Sequence, residues 1–573
     1  MSRTRVLALV LFVLIGIIIL RLFYLQVISH AEFTEIARQE QQKRLVLPAE
    51  RGEIFSLDNG TPKKLVLNET VYTVFADPEI IEESDHAEIM ETLRSVAGGE
   101  LRDGAAELLN QKDTRYQILA TEITRRQAEM IKKQDFTGIG FQQGSRRVYP
   151  EGSLAAQTLG FVNNAGQGQY GVEQALNERL TGKDGLLQSV TDVRNVPLTI
   201  GDDNIRREPQ DGDDVVLSID RNIQSFASDA LKSGLEKAGA TDGSAIVMDP
   251  KTGRVLAMAN YPTYDPGEYR RVQDGALFAN PIVSSPYEPA SVIKNFMFAT
   301  AIDKGVISRS TTYNNTDSVR IDDATINNAL KGMTGQRSMQ EAFNWSLNTG
   351  SVFAAQQLGN GRINKSARDT IYDYFHNRFR LGQPTGIEVA GEASGGIISP
   401  DEVQGNAVRY SNITFGQGLD VTMMQVAAGY SAVVNGGEYY QPTVIAGEVE
   451  DDVYKETKPR LLQSDVVSDS TSNEMRAMAI EGRKAFFGSV DDKSGYSIGG
   501  KTGTSQQIKN GQYVFNETVG SYLGFGGQDQ PEYVIMIRVA APDKKMEGGL
   551  HAGPIFTEIS NWMIDYLKLQ PKG

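Results

Sequence analysis

Residues 291–294 read Ser291-Val292-Ile293-Lys294, and the prediction of fold and chemistry starts from this stretch. The apolar residues that follow, up to residue 301, predict that it opens a buried helix, with the lysine one turn after the serine on the same face. A serine hydroxyl is a weak nucleophile without a neighbouring base. A lysine becomes that base when burial or a second cation favours its neutral amine. The pair is a candidate for an activated serine nucleophile. Taken alone it fits an ordinary capped helix start equally well, because a Ser-x-x-Lys spacing is expected about once by chance in a chain of this size.

Two further motifs follow the Ser-Lys pair along the chain. Ser346-Leu347-Asn348 offers a hydroxyl that can relay a proton and an amide that can hold a substrate backbone. Residues 499–505, Gly-Gly-Lys-Thr-Gly-Thr-Ser, combine a cation and hydroxyl donors suited to a carboxylate with glycines that allow close approach of a ligand backbone. Because the three motifs occur in this order, chance is a poor explanation for the set.

Two similar patterns are assigned structural roles. Lys251-Thr252-Gly253 precedes the Ser-Lys pair and lacks the flanking glycines, so it is predicted to be a hairpin turn. The Gly-x-Ser-x-Gly pattern at 495–499 runs into a second glycine and not into a helix. Ser497 is therefore predicted in a strand and turn, and not in a nucleophile elbow.

The composition limits the classes of function. The chain is 40% hydrophobic and 23% charged, as expected for a folded protein, and its net charge of -15 argues against nucleic acid as a partner. It has no cysteine, and none of its four histidines has the spacing typical of zinc hydrolases. These histidines are His30, His86, His376 and His551. We expect no metal and no cofactor, and a catalytic base that is Lys, Asp or Glu.

The amino terminus predicts a membrane anchor. Arg3 and Arg5 precede an apolar run over residues 6–20 that resumes at 22–28, and about 20 apolar residues suffice to cross a bilayer. Positive residues before the span predict a cytoplasmic amino terminus and a single-pass protein of the cell membrane with an extracytoplasmic catalytic domain. A signal peptide cleaved near Ser29-His30-Ala31 is the alternative.

Four segments are predicted along the chain. Residues 1–28 form the cytoplasmic tip and the anchor, 29–200 a pedestal, 201–214 a polar linker and 215–573 the catalytic domain. The elements predicted in the pedestal are a helix within 32–44, a strand and tight turn at 51–60, a strand at 71–76, helices within 84–134 and a helix at 171–180. Those predicted in the catalytic domain are a strand at 215–219, a helix at 221–237, a hairpin of 245–248 with 254–258, strands at 521–526 and 533–539, and a closing helix at 554–569.

With these motifs in place, the chain resembles a class B penicillin-binding protein over nearly its whole length. Residues 51–60 resemble the family's R-G-x-I-x-D-R-N-G signature, and 171–173 with 180–182 resemble its G-x-E…L-x-G pedestal element. Residues 287–291 resemble the Y-E-P-G-S lead into the nucleophile, with Ala290 in place of the usual glycine. Residues 414–418 with Thr422 and Gln425 resemble a further transpeptidase block.

The resemblance implies a multidomain α+β protein. Its transpeptidase fold has an antiparallel sheet with flanking helices beside an all-helical subdomain, on an elongated amino-terminal pedestal. It also implies a peptidoglycan D,D-transpeptidase. In that role Ser291 attacks the penultimate D-Ala of a stem peptide to form an acyl-enzyme, and an amine of a second stem peptide takes the acyl group. Lys294 is implied as the base, and Ser346 and Lys501 as proton carriers for the leaving amine.

The resemblance also implies the substrate contacts. Asn348, Thr502, Gly503 and Thr504 would bind the donor peptide, with Asn348 holding it and the hydroxyls of Thr502 and Thr504 on its terminal carboxylate. The backbone N–H groups of Ser291 and Thr504 would form the oxyanion hole. β-Lactams, which mimic D-Ala-D-Ala, should acylate the same serine.

A separate partner is expected to polymerise the glycan, because no glycosyltransferase domain fits within residues 29–214. The family suggests a SEDS-type glycosyltransferase and other membrane proteins of cell-wall synthesis. No PASTA extension is expected after the closing helix. A role in division is favoured over one in elongation. A D,D-carboxypeptidase, a β-lactamase and a non-catalytic scaffold or β-lactam sensor stay open as alternatives.

Overall fold

The computed structural model describes residues 2–30, 33, 42–190, 205–487, 492–509 and 512–572. The chain divides into two compact units, Met1–Gly52 with Thr181–Gly212, and Glu53–Leu180 with Asp213–Gly573. The second unit therefore contains all three motifs together with much of the predicted pedestal. The segment boundaries predicted at residues 28, 200 and 214 stay predictions.

The first unit begins with the apolar helix predicted from the sequence. It runs over Arg3–Phe23 and continues as a π-helical segment, Tyr24–Ile28. Among the described residues it is the one helix long and apolar enough to cross a membrane. The unit also contains an antiparallel sheet in which Gly185–Val190 lies between Gln42–Leu47 and Ile205–Arg207. The helix predicted within 32–44 is wrong at 42–44, because these residues pair with Gly185–Val190 in a strand. Residues 32 and 34–41 lie outside the described part.

A seven-stranded sheet runs through the pedestal part of the second unit into its catalytic part. Its strands are, in spatial order, Val453–Glu456, Ile445–Glu450, Asp214–Asp220, Ile54–Asp58, Thr61–Ala76 and Gln117–Thr124, with Ile139–Val148 also paired to Thr61–Ala76. Asp214–Asp220 and Ile54–Asp58 pair in parallel, with Val215 opposite Ile54. The predicted tight turn is confirmed at Asn59-Gly60, where both residues have positive φ.

Two further helical predictions in the pedestal need correction. Residues 84–134 contain the helices His86–Ala97, Ala105–Leu108 and Arg125–Lys132, but Gln117–Thr124 is a strand. Its antiparallel pairing with Thr61–Ala76 is a distant contact that the local sequence does not show. The helix predicted over 171–180 is broken into Gly171–Ala175 and Asn177–Thr181, because Leu176 leaves helical geometry.

A five-stranded antiparallel sheet forms the centre of the catalytic part. Its strands in chain order are β1 (Asp242–Met248), β2 (Val255–Tyr261), β3 (Ser497–Lys509), β4 (Gln512–Gly527) and β5 (Pro531–Ala540). In space the order is β2-β1-β5-β4-β3, so β3 is an edge strand. The predicted β1–β2 hairpin and the last two predicted strands are confirmed. Lys251-Thr252-Gly253 lies in the β1–β2 turn and Ser497 begins β3, as predicted.

Helices cover both faces of this sheet. They are α1 (Arg221–Ala238), α2 (Lys294–Asp303), α3 (Met339–Asn344), α4 (Asn348–Gln357), α5 (Met423–Val434), α6 (Asp469–Phe487) and α7 (Gly553–Tyr566). Side chains alternate along β1: Ala245 and Val247 join the core under α1 and α7, whereas Ile246 and Met248 join the larger core that contains α2 and α5. The predicted sheet with flanking helices and a helical subdomain is confirmed.

Shorter elements complete the second unit. The strand pairs are Phe161–Val162 with Gly168–Gln169, Thr312–Asn315 with Gly335–Ser338, Ser318–Ile321 with Ala324–Asn327, and Tyr439–Tyr440 with Leu461–Gln463. The further α-helices are Ala156–Leu159, Pro281–Ser284, Lys365–Tyr372 and Ala407–Ile413. Segments of 3₁₀-helix are Glu83–Asp85, Gly98–Glu100, Pro266–Arg271, Gly275–Phe278 and Ala290–Ile293, and π-helical segments are Asp373–Arg378 and Gly548–Ala552.

Candidate active site

Ser291 lies in a tight 3₁₀ turn, Ala290–Ile293, and α2 begins at Lys294. The residue before the serine, Ala290, has a φ of 54°, a conformation that costs a non-glycine residue about 1 kcal/mol or more. Its N–H donates to Gly416 O at 3.2 Å, and a side chain on Gly416 would collide with the Ala290 carbonyl. The positive φ explains why a glycine would suit this position, and the Gly416 contact holds the turn in place.

Lys294 is fully buried and saturated with oxygen acceptors. Its Nζ donates to Ser346 O at 2.6 Å, to Ser346 Oγ at 3.0 Å and to Asn348 Oδ1 at 2.9 Å. Burial, followed by repulsion from Lys501, lowers the pKa of Lys294 well below its usual value. The neutral amine is therefore far more accessible at neutral pH than that of an exposed lysine.

Ser346 and Asn348 lie at the junction of α3 and α4. Ser346 has a φ of 56°, and Leu347 N–H donates to Ala342 O at 2.8 Å, which ends α3 and turns the chain into α4. Asn348 Nδ2 donates to Asn327 O at 2.9 Å, so the amide is held from both ends. Together with the start of α2, this junction forms the helix wall of the site.

The opposite strand wall is β3. Its side chains alternate: Lys501 and Gly503 are buried, Thr502 is half-buried and Thr504 is exposed. The acceptors nearest to Lys501 Nζ are Thr502 O and Oγ1, both at 3.5 Å, and the Phe343 ring centre lies 5.9 Å away. Burial lowers the pKa of Lys501 to about 7. Because its acceptors lie as far as 3.5 Å away, the Lys501 ammonium can still donate hydrogen bonds to an anionic ligand.

Gly503 sets the distance between β3 and the turn that carries Ser291. A Cβ on Gly503 would come within 2.7 Å of Pro289 O and 3.2 Å of the Val292 side chain. A larger residue would therefore push the strand wall away from the nucleophile. Among the described residues β3 pairs with a strand on one side, β4, so alternate N–H and C=O groups on its other edge are left for a ligand.

The structure brings most of the predicted site residues together. Lys294, Ser346 and Asn348 are in direct contact, Lys501 is close enough to repel Lys294, and Gly503 packs on the Ser291 turn. The Ser291 hydroxyl makes no hydrogen bond within the described part of the chain. The three hydrogen bonds of Lys294 Nζ all go to the Ser346–Asn348 junction. Thr504 Oγ1 accepts the Gly548 N–H at 3.1 Å.

Several residues at the site escaped the sequence analysis. Phe343 lies beside Lys501, and Asn327 and Gly548 supply backbone groups to Asn348 and Thr504. Only Gly548 carries a sequence signal, since it belongs to a Gly-Gly pair. The other two depend on distant packing that no local pattern indicates.

Glu288, in the lead to the nucleophile, is also held firmly. Its carboxylate accepts the Gly418 N–H at 2.7 Å and the Tyr513 hydroxyl at 2.9 and 3.1 Å. Burial raises the pKa of Glu288, although these two donors oppose the shift. The residue thus ties the Ser291 turn to the loop at Gly418 and to β4.

Among the described residues, no group of three or more His, Cys, Asp or Glu side chains is arranged to hold a metal ion. His551 lies in the π-helical segment after Gly548, and its Nδ1 accepts the Glu547 N–H at 2.9 Å. The chemistry available at the site is that of two desolvated lysines, two serine hydroxyls, two threonine hydroxyls and backbone donors.

Comparison with known proteins agrees with this geometry. The family model for the penicillin-binding protein transpeptidase domain matches residues 243–561, and that for the penicillin-binding protein dimerisation domain matches residues 46–217. Stage V sporulation protein D of Bacillus subtilis is 30% identical, over 100% of this chain and 87% of the relative. Peptidoglycan D,D-transpeptidase FtsI of Escherichia coli is 26% identical, over 96% and 89%.

Solved structures show the same fold. Penicillin-binding protein 2X of Streptococcus thermophilus superposes with a TM-score of 0.73 at 22% identity, over 92% of this chain and 80% of the other. Penicillin-binding protein 3 of Mycobacterium tuberculosis, complexed with aztreonam, gives a TM-score of 0.68 at 26% identity, over 92% and 98%. The chain therefore belongs to the class B penicillin-binding proteins, a family of serine-type peptidoglycan D,D-transpeptidases.

Proposed function

We propose that the chain cross-links stem peptides through an acyl-enzyme on Ser291. The observation that carries the proposal is the buried Lys294, which joins the helix of the nucleophile to Ser346 and Asn348 and whose charge is disfavoured by burial and by Lys501. A neutral amine has two N–H groups and one lone pair. With Ser346 O and Asn348 Oδ1 accepting the two N–H groups, the lone pair is left for a hydroxyl proton.

Acylation follows from this arrangement. The Ser291 oxygen forms a bond to the penultimate D-Ala carbonyl carbon while its proton passes to Lys294. Negative charge develops on the carbonyl oxygen, which the N–H groups of Ser291 and Thr504 would stabilise. The bond to the terminal D-Ala nitrogen then breaks, and that nitrogen takes a proton through the Ser346 hydroxyl from the Lys294 or Lys501 ammonium.

The second half-reaction reverses the proton path. The acceptor amine gives a proton to Lys294 and bonds to the acyl carbon, and the Ser291 oxygen leaves and regains its proton. Lys501, Thr502 and Thr504 would bind the donor carboxylate. Lys501 suits this role because it is buried, its pKa of about 7 leaves it cationic in more acidic solution, and its acceptors Thr502 O and Oγ1 are both as far as 3.5 Å from Nζ.

Mass spectrometry of the full-length chain after penicillin treatment tests the nucleophile. The expected result is one adduct on the peptide that contains Ser291, lost in Ser291→Ala and retained in Ser497→Ala, which removes the Gly-x-Ser-x-Gly serine. An adduct elsewhere contradicts the mechanism. Rapid release of the adduct supports a β-lactamase, and growth of a depletion strain on Ser291→Ala supports a non-catalytic scaffold.

The helix Arg3–Ile28 is proposed as an uncleaved anchor with its amino terminus in the cytoplasm, because Arg3 and Arg5 precede the apolar run. The chain has no cysteine, so a single introduced cysteine can be labelled without background. In intact spheroplasts a membrane-impermeant maleimide should label Asn59→Cys and spare Ser2→Cys. The reverse pattern contradicts the orientation, and loss of residues 1–28 from the mature protein supports cleavage.

A role in division, beside a SEDS-type glycosyltransferase and other membrane proteins of cell-wall synthesis, is proposed for the whole protein. It is supported by the Tyr287-Glu288-Pro289 lead and by the pedestal strand Ile54–Asp58, which pairs directly with Asp214–Asp220. Depletion should produce filaments, whereas rounded cells would indicate the elongation role. Photo-crosslinkers placed along Arg3–Ile28 should capture a polytopic membrane protein if the anchor is the contact.

A further inference from the structure

A cluster of polar side chains is buried behind the Ser346–Asn348 junction. It consists of Tyr313, Asn315, Asn328 and Thr349, none of which is more than 6% exposed. Burying polar groups is costly unless each is hydrogen-bonded, and a bonded cluster fixes positions more tightly than apolar packing does. The cluster is therefore a candidate for a positioning role.

Asn328 is the centre of the cluster. Its Oδ1 accepts the Thr349 N–H at 3.0 Å and lies 3.2 Å from the Thr349 hydroxyl, and its Nδ2 donates to Asn315 Oδ1 at 3.1 Å. The Thr349 hydroxyl donates to Asn315 Oδ1 at 2.8 Å and lies 3.1 Å from the Tyr313 hydroxyl. These bonds join the segment at Asn328 to the first turn of α4.

The cluster reaches the catalytic lysine through two neighbouring residues. Asn327, directly before Asn328, presents its carbonyl to Asn348 Nδ2 at 2.9 Å. Asn348, directly before Thr349, therefore turns its Oδ1 to Lys294 Nζ, also at 2.9 Å. Rotating the amide by half a turn would place its NH₂ against the ammonium and its oxygen against a carbonyl, so one orientation is strongly favoured.

We propose that Asn328 and Thr349 are positioning residues that fix the orientation of the Asn348 amide and thereby supply Lys294 with one of its acceptors. The inference rests on the proposed function, in which Lys294 is the base. An acceptor on the ammonium stabilises the charged form, so its loss should lower the pKa of Lys294 further. Lys501 is the charged group that acts on Lys294, and Asp317 Oδ1 lies within 3.5 Å of Asn328 Nδ2 on the far side of the cluster.

The test is the pH dependence of penicillin acylation by the full-length chain. Asn328→Ala and the milder Thr349→Val should acylate about tenfold more slowly at pH 7. The acid limb of their pH–rate profiles should also lie at lower pH, because a base with a lower pKa stays neutral in more acidic solution. Thr349→Ser, which keeps the hydroxyl, should restore the wild-type profile.

Ser351→Ala is the matched control. Ser351 is fully buried on the same helix, and its hydroxyl has no hydrogen-bond partner among the described residues, so its loss should change neither rate nor limb. Slower acylation of Asn328→Ala and Thr349→Val with an unmoved acid limb would overturn the proposal and leave a structural role. If the acid limb of Asn328→Ala and Thr349→Val is unmoved but penicillin still labels Ser291, only the positioning proposal fails and the proposed function stands. If penicillin labels Lys294→Ala as well as it labels the wild type, the proposed function itself fails.

Discussion

The two lysines of the site have the same chemistry and nearly the same burial, at 0% and 4% exposure, yet opposite hydrogen bonding. Lys294 on the helix wall has three acceptors within 3.0 Å, whereas the nearest acceptors of Lys501 on the strand wall lie at 3.5 Å. The difference teaches that burial alone does not define a role. In the proposed function, Lys294 with its short contacts exchanges protons, and Lys501 with its longer contacts binds the ligand carboxylate.

The largest effect should come from the helix wall. Lys294→Ala removes the proposed base and should lower the second-order rate of penicillin acylation by about 10³-fold or more, with the fold retained. Stopped-flow measurement with a fluorescent penicillin gives the rate, and circular dichroism checks the fold. Lys304→Ala, at the exposed lysine directly after α2, is the control and should acylate normally. If Lys294→Ala is acylated as fast as the wild type, Lys294 is not the base and the proposed difference in role between Lys294 and Lys501 is wrong.

A smaller effect is expected on the strand wall. Lys501→Ala should lower the acylation rate about 10- to 100-fold, since a charge-assisted hydrogen bond to the ligand carboxylate is lost. Because the pKa of Lys501 is about 7, the wild-type rate should fall as the pH rises through 7. Lys501→Arg keeps its charge and should lose this alkaline limb. If the acylation rate of Lys501→Arg falls with rising pH as that of the wild type does, a group other than Lys501 is responsible for the alkaline limb.

The smallest effect concerns stability. Lys501→Met should stabilise the chain by about 1 kcal/mol near neutral pH, because a desolvated ammonium with few partners is replaced by an apolar side chain. The folded pKa of about 7 lies below the ordinary value of 10.5, so the penalty is complete below pH 7 and disappears as the pH rises toward 10.5. Thermal melts across this range should show the gain shrinking with pH. If Lys501→Met is instead less stable than the wild type by the same amount at every pH, the contacts of Lys501 stabilise the fold and the prediction is wrong.

The sequence predicted the chemical groups of the site better than their surroundings. Ser291, Lys294, Ser346, Asn348 and the 499–505 strand were found because short motifs keep reactive residues at fixed spacing. Asn327 and Phe343 were missed because they approach the site only through packing between distant segments. The same limit explains the strand Gln117–Thr124, whose partner Thr61–Ala76 is far away in the chain.

The seven-stranded sheet has a mechanical consequence. Ile54–Asp58 and Thr61–Ala76 pair in one hydrogen-bonded layer with Asp214–Asp220 and Ile445–Glu450, so bending between pedestal and catalytic parts would break backbone hydrogen bonds. Because these strands share one hydrogen-bonded layer, a force on the helices at one end should rotate the pedestal strands and the catalytic strands of the layer together. A protein that binds the pedestal would therefore act on Asp214–Asp220, the strand directly before α1 of the catalytic part.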